Sequence, residues 1–577
     1  MKIPGLSNLL KTDPTMTRYY VQGKQIQLGK IDFQAQGGEG SIYVKGSTAY
    51  KIYAAPQRTI QAAKIQELAV LIEPSIIRPL NLLLDQQNRP VGYTMRYVGK
   101  THALCQLFPK AFRLRNNLTP DMSLELVRKL QKGVAHIHSH HILLVDLNEM
   151  NFLVTTDFRE LFFIDVDSYQ TPSFPATVLM ESVRDRHART FTTGSDWFSF
   201  AVVSFQMFVG IHPFKGTYAA LQQLSDKEQK LDARMRANIS VLHQGVTVPG
   251  STLPFTVIPP AYLDWYRAVF EEGKRMPPPQ DVQGTVQLAS TPEPVRVESA
   301  AFVVTKFREF DSEVIYYDAT VTLTEHSIYF AGNRCDKPTA DVKLAITPRQ
   351  QHLIAVFLEN GRLRFRDLTT GKEIMNEVDG EEVMVCNGQL YLKKHEHILA
   401  VDFIELPQSM LLGLRPVANV MMQATQVFEG VAIQNLLGTK YASILTPSGA
   451  CHQVRLPELA AKQILNARLE RNVLVVVTTD AGNYQRFIYR FAGDFSSYDV
   501  RTVHDSASTD INFTVLDSGI VLHITDGKLE LFSTKMNSAS VRILSDPLLE
   551  SDVRLFHHGT QALIARGREL FKISLQA

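Results

Sequence analysis

The sequence lacks the features that would assign it to several large classes of protein. Its 577 residues contain only four cysteines, Cys105, Cys335, Cys386 and Cys451, and no two of them form a C-x-x-C pair. This spacing predicts neither a zinc site nor a disulfide framework, and it favours a reducing compartment. The formal net charge is only +2, which gives no indication of a nucleic-acid partner.

Long apolar runs are also absent from the sequence. No stretch reaches the ~18 apolar residues of a membrane span, and Met1–Gly5 does not open a signal peptide. We therefore expect no membrane partner and a cytoplasmic location, in the producing cell or in a host cell to which the protein is delivered. Hydrophobic residues make up 45% and charged residues 20%, as in soluble globular proteins, and the length predicts at least two domains.

One shift in composition divides the chain. Prolines cluster around Pro277–Pro279 and Pro292–Pro294, a pattern typical of an extended linker. We divide the sequence into an N-terminal extension (1–29), a mixed α+β domain (30–272), a proline-rich linker (273–296) and an all-β domain (297–577). In the α+β domain, apolar periodicity predicts a helix over Met122–His138 and a buried helix over Asp196–Val209.

The all-β domain shows repeated hairpin signals. Runs such as His352–Phe357 and Arg362–Arg366 flank an Asn-Gly turn, and similar pairs surround Asn387-Gly388 and Asp526-Gly527. Asn-Gly and Asp-Gly favour tight hairpins because both central residues need positive φ. Units at roughly forty-residue spacing predict a β-propeller of about six or seven blades.

Glycines in the segment 34–44 predict a phosphate-binding loop. In the pattern G-x-G-x-x-G-x-V, the matching positions are Ala35, Gly37, Gly40 and Ile42, and Gly38 lies inside the loop. Glycines allow the backbone to approach phosphate oxygens closely. The same cluster is also compatible with a plain hairpin turn.

A lysine and a glutamate follow the glycine loop. Lys51 lies in the strand-like run Thr48–Tyr53, where it would contact the α- and β-phosphates of a nucleotide. Glu67, in the predicted helix over Ile60–Leu71, is its expected ion-pair partner. Glu73 is the alternative, although Pro74 indicates that the helix has ended before it.

Three further residues predict phosphoryl transfer. Asp146 and Asn151 lie five apart in an apolar frame, and Asp165 follows one short hairpin later. This chemistry needs a carboxylate to orient the attacking hydroxyl and accept its proton, and an amide and a second carboxylate to hold Mg²⁺. We therefore predict Asp146 as the base and Asn151 and Asp165 as metal ligands.

Together these motifs resemble a protein kinase. Asp196-Trp197-Phe198-Ser199 is similar to the D-x-W-S start of a long kinase helix, whose aspartate binds the catalytic-loop backbone, and Gly210–Phe214 is similar to the segment that follows it. Residues ~30–270 resemble a eukaryotic-like Ser/Thr kinase of bacterial or phage type. The run Asp165–Gln170 resembles the D-x-D-S-[FY]-Q subgroup, which is associated with tellurium-resistance-type modules.

The resemblance implies a bilobal α+β kinase-like fold that uses ATP with Mg²⁺, or Mn²⁺ as an alternative. It implies catalytic roles for Lys51, Glu67 and Asp146. It also implies that the end of a strand near residue 95 forms the hinge that binds adenine. The implied nucleotide-binding residues are Ala35, Gly37, Gly38, Gly40, Ile42, Ala49, Lys51, Met95, Tyr97, Val98 and Leu153.

Several positions depart from the kinase pattern. Leu144 and Val145 replace His-Arg, so that no arginine is available to pair with a phosphorylated activation loop. Asn148 replaces the lysine that contacts the γ-phosphate. Asp167 replaces a glycine and would either ligate a second metal ion or stiffen its loop. The segment 173–193 is short and has no clear A-P-E motif.

Four histidines invite a different hypothesis. His136, His138, His140 and His141 lie at the end of the helix before the catalytic loop. They would form a metal site only with correctly spaced partners, whereas histidine also favours a helix C-terminus electrostatically. We expect the latter.

Three functions are consistent with the sequence. The leading hypothesis is a protein Ser/Thr kinase whose propeller docks a protein substrate or partner. The first alternative is a pseudokinase scaffold, which binds nucleotide and partners without phosphoryl transfer. The second is a kinase-fold enzyme that acts on a small molecule or transfers another part of ATP.

Overall fold

The structure is a computed structural model of the chain. The residues that it leaves undescribed within 17–575 are 38, 177–179, 222–223, 225–226, 281–298, 300, 340, 350, 360–361, 377, 408, 447–448, 481–482, 507, 534–539 and 551. Residues 1–16, Gly38, most of the predicted linker and some predicted turn residues, such as 360–361, therefore lie outside the described residues.

The chain begins with a seven-stranded sheet in the order β2-β1-β6-β7-β5-β4-β3. Its strands are β1 (Thr17–Val21), β2 (Lys24–Leu28), β3 (Phe33–Gln36), β4 (Gly40–Lys45), β5 (Thr48–Tyr53), β6 (Asn81–Leu84) and β7 (Pro90–Arg96), with helix α1 (Ala62–Leu68) between β5 and β6. The expected boundary at residue 30 runs through this sheet, because β1 and β2 pair with it. Helix α1 is shorter than the predicted helix over 60–71 but includes Glu67.

A mostly helical region follows the sheet. Its elements are β8 (Thr101–Ala103), α2 (Lys110–Asn116), α3 (Pro120–Ser139), β9 (Phe152–Thr155), β10 (Leu161–Phe163), α4 (Thr193–Val209), β11 (Thr217–Tyr218), α5 (Lys227–Arg236), β12 (Val246–Thr247) and α6 (Pro260–Phe270). Both predicted long helices are confirmed, as α3 and α4. Thr119 caps α3 through Met122 N, and Gly210 ends α4 with φ of 79°. Both boundaries follow from local chemistry, since a hydroxyl satisfies a free amide and glycine tolerates positive φ.

The second half is all-β among the described residues, apart from short helices. Its elements are β13 (Phe302–Glu309), β14 (Val314–Tyr317), β15 (Val321–Thr324), β16 (Ser327–Phe330), β17 (Asn333–Asp336), β18 (Lys343–Ile346), β19 (Leu353–Glu359), β20 (Arg362–Asp367), β21 (Glu382–Cys386), β22 (Gln389–Lys394), β23 (His397–Glu405), β24 (Met410–Asn419), β25 (Thr425–Phe428), β26 (Val431–Leu436), β27 (Thr439–Leu445), β28 (Cys451–Arg455), β29 (Gln463–Glu470), β30 (Val473–Asp480), β31 (Asn483–Phe491), β32 (Tyr498–Ser506), β33 (Asn512–Val515), β34 (Val521–Thr525), β35 (Lys528–Phe532), β36 (Arg542–Ser545), α7 (Pro547–Glu550), β37 (Val553–His558), β38 (Gln561–Arg566) and β39 (Glu569–Leu575).

These strands form seven small antiparallel sheets in the described chain. Six contain four strands, and the sheet of β18, β19 and β20 contains three. Strand β13 pairs with β39, so that the start and the end of this half share one sheet. Apolar clusters join each sheet to the next, and another joins the last sheet to the sheet of β14.

The predicted hairpin turns explain the register of these sheets. Asn387 and Gly388 have φ of 50° and 76° between β21 and β22, and Asp526 and Gly527 have 49° and 73° between β34 and β35. Both positions of each turn are left-handed, as the Asn-Gly and Asp-Gly signals predict. Among the described helices, none has the length and apolar character needed to cross a bilayer.

Candidate active site

One face of the seven-stranded sheet collects the residues that the sequence assigns to nucleotide binding. Lys51 lies opposite Ile42 on β4 and opposite Tyr93 on β7, and Ala49 lies opposite Met95. Alternate residues of a strand point to the same side, so these side chains share one face with Tyr53. The other face packs Tyr50 and Leu83 in a separate apolar cluster.

The predicted phosphate-binding loop is a tight hairpin between β3 and β4. Gly37 N donates to Gly40 O at 2.9 Å, and Ala35 pairs with Ile42. A Cβ atom on Gly40 would lie 2.1 Å from Ile52 O, which no side chain tolerates. Gly40 is therefore required by the close approach of β5, whereas Gly37 has open space around it. Gly38 lies outside the described residues.

The structure brings Lys51 to Asp165 across a large sequence separation. Lys51 Nζ lies 2.8 Å from Asp165 Oδ1, 2.9 Å from Asp167 Oδ2 and 3.1 Å from Glu39 Oε2. The lysine side chain is only 8% exposed, so the charge of its ammonium group is balanced by these carboxylates rather than stabilised by solvent. Burial acts to lower the pKa of Lys51, but Tyr93 and the surrounding carboxylates outweigh it and raise the pKa.

Asp167 occupies the place that the sequence assigned to Glu67. Besides Lys51, its carboxylate accepts hydrogen bonds from Tyr53 Oη and Tyr93 Oη, both at 2.6 Å. Lys64 Nζ, on helix α1, donates to the main-chain oxygen of Asp167 at 2.7 Å. This carboxylate is thus held by three donors, and its side chain is 6% exposed.

The predicted pair of Lys51 and Glu67 is not among the contacts of the structure. Glu67 instead accepts from Ser173 N at 3.3 Å, and hydrogen bonding with Thr171 and Ser173 lowers its pKa. The physical reason is that Lys64, one turn before Glu67, is the α1 residue that reaches the acidic turn. The sequence alternative, Glu73, lies beyond the end of α1.

The pKa values of the two aspartates of the Asp-x-Asp turn are shifted in opposite directions. Burial raises the pKa of Asp165, although Lys51 opposes it. Burial acts in the same direction on Asp167, but Lys51 and the hydroxyls of Tyr53 and Tyr93 lower its pKa overall. Of this interacting pair, Asp167 is therefore the more readily ionised.

The loop that carries Asp146 is anchored by Asp196. Asp196 accepts from Leu144 N and Val145 N, both at 2.9 Å, as its predicted role requires, and it also lies 2.9 Å from His138 Nε2. Val145 has φ of 63°, which is strained for a β-branched residue. The two hydrogen bonds that this buried carboxylate accepts hold the strained turn in place.

Asp146 and Asn151 meet as predicted. Asn151 Nδ2 donates to Asp146 O at 2.9 Å and lies 3.4 Å from Asp146 Oδ2. The other carboxylate oxygen, Oδ1, accepts from Met180 N at 2.7 Å. Burial raises the pKa of Asp146, although hydrogen bonds from Met180, Asn148 and Asn151 oppose it.

Asn148 has a structural position rather than a phosphate-facing one. It is buried, its Oδ1 accepts from Met150 N at 2.8 Å, and its Nδ2 lies 3.3 Å from Asp146 O. The amide therefore closes the turn between Asp146 and Asn151. The lysine that it replaces in the kinase pattern has no counterpart at this position.

Oxygen ligands for a divalent cation lie beside this loop. Oxygens of Glu39, Asp165 and Asp167 lie within 4.8 Å of one another. The main chain of Asn151 lies beside this turn, because Ile164 N donates to Asn151 O at 3.0 Å, whereas its side-chain amide contacts Asp146. Hard oxygen donors of this kind suit Mg²⁺ or Mn²⁺. All three carboxylates also contact the Lys51 ammonium group, so a metal ion would share them with that cation.

The residues that the kinase resemblance assigns to adenine come from the seven-stranded sheet, the segment after β7 and the sheet of β8, β9 and β10. Ala49 is buried, Ile42, Met95 and Leu153 are half-buried, and Leu153 pairs with Ala103 of β8. At the end of β7, Tyr97 N donates to Ser47 O at 2.9 Å, so this amide is already paired. Val98 is half-buried in the segment that follows.

Sequence reasoning missed Glu39, Tyr53, Tyr93 and Lys64 at this site. The signal for Tyr53 was its position two residues after Lys51, which puts it on the same face of β5. The signal for Tyr93 was only its register opposite Lys51, which the sequence does not fix. The histidine cluster does not form a metal site among the described residues, since His138 bonds Asp196 and His136 packs against His140.

Comparison with known proteins adds little. No family model and no curated protein matches the chain. Among solved structures, the kinase PK-1 of Cydia pomonella granulovirus is 16% identical with a TM-score of 0.27, over 35% of this chain and 75% of that one. Two structures of Kluyveromyces lactis Hsv2 are 13% and 12% identical with TM-scores of 0.30, over 46% of this chain and 98% of theirs. Likenesses at these scores bear on neither fold nor function.

Proposed function

We propose that residues 17–272, with β1 and β2 included, form a protein-kinase-like domain that transfers the γ-phosphate of Mg-ATP to a serine or threonine hydroxyl of a protein. The observation that carries the proposal is the contact of Lys51 with Asp165 at 2.8 Å, between residues 114 apart in sequence. In this contact the ammonium group of Lys51, which would bind phosphate oxygens, lies beside the carboxylate of Asp165, which would bind the metal ion. Asp146 and Asn151 supply the remaining groups on a neighbouring loop.

Each residue has a definite task in this proposal. Lys51 binds the α- and β-phosphates once they displace a carboxylate from its ammonium group. Asn151 and Asp165 hold the divalent cation, which neutralises charge on the phosphates when it is bound. Asp146 orients the substrate hydroxyl and takes its proton. Tyr53, Tyr93 and Asp167 hold Lys51 in position.

The second half is proposed to be a β-propeller of seven blades that docks a protein partner. The support is its seven successive antiparallel sheets, the packing of each sheet on the next, and the pairing of β13 with β39. Such a strand pair links the two ends of the repeat, and propellers generally bind rather than catalyse.

The experiment is incubation of the full chain with γ-labelled ATP and Mg²⁺. We expect label on the protein itself or on an added generic protein substrate, and loss of labelling with EDTA. Nucleotide binding is measured in parallel by equilibrium dialysis. Binding without any transfer would contradict the kinase proposal and favour the pseudokinase alternative.

One contact specifically favours that alternative. Met180 N occupies Asp146 Oδ1 at 2.7 Å, where a substrate hydroxyl would be accepted. A scaffold would keep this contact, whereas an enzyme must exchange it for substrate. The transfer assay separates the two, because only the enzyme turns over.

A further inference from the structure

The two halves of the chain share one apolar cluster. It contains Leu104 and Cys105 before α2 together with Val475, Val477 and Ile488 of β30 and β31. Gln106 Nε2 also donates to Leu465 O at 2.7 Å. This side of the kinase-like region is therefore covered by the second half rather than exposed to solvent.

The loop that carries Asp146 reaches this interface through Glu149. Glu149 is 5% exposed, and its Oε1 accepts from Tyr484 Oη of β31 at 3.1 Å. Its other carboxylate oxygen is buried without a hydrogen-bond partner among the described residues. Next to it, Met150 Sδ lies 3.5 Å from Cys105 Sγ in the same interface. A buried carboxylate is stabilised mainly by the few groups that donate hydrogen bonds to it. Loss of the Tyr484 hydroxyl should therefore destabilise the position of Glu149.

Glu149 lies between the two residues whose spacing matters most. It follows Asp146 by three positions and precedes Asn151 by two. Asp196 holds the start of the loop through Leu144 and Val145. A second attachment at Glu149 therefore holds the end of the loop, in addition to the hydrogen bonds of Asn148 and Asn151 inside it.

We propose that Tyr484 is a positioning residue, through which the second half of the chain holds Asp146 and Asn151 in their reactive geometry. This inference rests on the proposed phosphoryl transfer for its kinetic consequence. Its structural part concerns the order of the loop and stands whether or not the protein transfers phosphate. Small displacements of reacting groups lower rates strongly, so a modest loosening of the loop has a measurable effect.

The interface also offers a second line of attachment around α2. Lys110 Nζ lies 2.6 Å from Asp552 and 3.0 Å from Glu313, two carboxylates of the second half. Helix α2 thus packs beside the start of β14 and β37, so the two halves are also joined at a place that does not involve Tyr484. Changes at Tyr484 should consequently act locally, without separating the halves.

The test compares Tyr484→Phe with wild type in the full chain. The variant keeps the ring and removes only the hydroxyl. Tyr489→Phe is the matched control, because Tyr489 lies on the same strand but its hydroxyl bonds Glu458 within the second half. Two readouts are used: amide hydrogen exchange of peptides covering 144–151, and the kinetic constants for ATP in the transfer assay.

We expect Tyr484→Phe to raise exchange in 144–151 about ten-fold and to lower kcat about ten-fold, with KM for ATP within two-fold. Tyr489→Phe should change neither. Unchanged exchange in Tyr484→Phe, or an equal change in both variants, would overturn the inference. If wild type shows no transfer, the proposed function fails, while the exchange measurement still decides whether Tyr484 orders the loop.

Discussion

The two halves of this chain use β-structure in different ways. In the first half, one sheet face gathers Lys51, Tyr53 and Tyr93 against the acidic turn at Asp165 and Asp167. In the second half, seven sheets bury both of their faces against each other. Among the described residues, the one group of three side chains able to bind a metal ion lies in the first half.

This difference suggests that the first half carries the reactive groups and that the second half has a structural or binding role. Ionisable groups of the first half meet around Lys51, which contacts three carboxylates. Those of the second half form several separate groups, such as Arg468 with Glu429 and Glu470. Clusters of mutually perturbed groups are typical of functional sites. Equivalent substitutions in the two halves should thus have different consequences, which makes the comparison testable.

The largest effect is expected from Lys51→Met. It removes the cation that faces Asp165 and Asp167, leaving the half-buried Asp165 and the buried Asp167 side chain without their counter-charge. We expect transfer to fall about 100-fold or more, because an electrostatic contact to the phosphates is lost. The initial rate of label transfer measures it.

Lys440→Met is the matched control in the second half. Lys440 is also buried, and burial lowers its pKa to about 8. Its replacement should leave transfer unchanged and keep or raise stability, since an apolar side chain suits the site better. If Lys440→Met lowered transfer as much as Lys51→Met, the result would contradict the assignment of the transfer chemistry to the first half.

A smaller effect is expected from Asp167→Asn. An asparagine has one amide nitrogen, which would face the donors Lys51, Tyr53 or Tyr93 in place of an acceptor oxygen. Transfer should fall about ten-fold or more, since charge-assisted contacts that position Lys51 are lost. The measurement is kcat/KM for ATP.

Glu67→Gln is the paired variant on helix α1. Because Glu67 contacts Ser173 rather than Lys51, the rate should stay within about two-fold of wild type, as expected for an exposed side chain. If Glu67→Gln lowered the rate more than Asp167→Asn, the result would support Glu67, as the sequence predicted, rather than Asp167 as the functional partner of Lys51.

The smallest effect concerns stability and pH. Burial lowers the pKa of His212 to about 3, and this ring lies 2.9 Å from Ser182 O. In the unfolded chain histidine titrates near ~6.5. Stability from the neutral ring is therefore present above ~6.5 and falls by about 1.4 kcal/mol per pH unit as pH drops below it.

Urea unfolding between pH 7.5 and 5.5 measures this slope. His212→Gln retains a polar side chain but cannot take up the proton. The slope of the unfolding free energy of the first half against pH should therefore decrease by the contribution of about one proton. An unchanged slope in the variant would show that other groups account for it.

The sequence predicted those parts of the site that depend on order along the chain. Asp146 and Asn151 follow a spacing that local structure preserves, and they are in contact. Lys51 and Asp165 were predicted from the order of the motifs, and the fold brings them together. Helices α3 and α4 were predictable because their apolar periodicity and caps are local. The same holds for the Asn-Gly and Asp-Gly hairpins of the second half.

Other parts depend on contacts that the sequence does not encode locally. Asp167 rather than Glu67 pairs with Lys51 because of tertiary contacts: Tyr53 and Tyr93 also donate to Asp167, whereas Glu67 accepts from Ser173 N. The register that sets Tyr93 opposite Lys51 arises from strand pairing across 42 residues. The contact of Tyr484 with Glu149 joins residues 335 apart, so that only the packed molecule reveals it.

The most direct test of phosphoryl transfer is the Asp146→Asn variant, with ATP affinity and transfer measured on the same full-length preparation. The substitution preserves shape and the contact with Met180 N but removes the proton acceptor. We predict Mg-ATP affinity within about three-fold of wild type and transfer reduced about 100-fold or more. Transfer within ten-fold of wild type, at unchanged affinity, would contradict the assignment of Asp146 as the base.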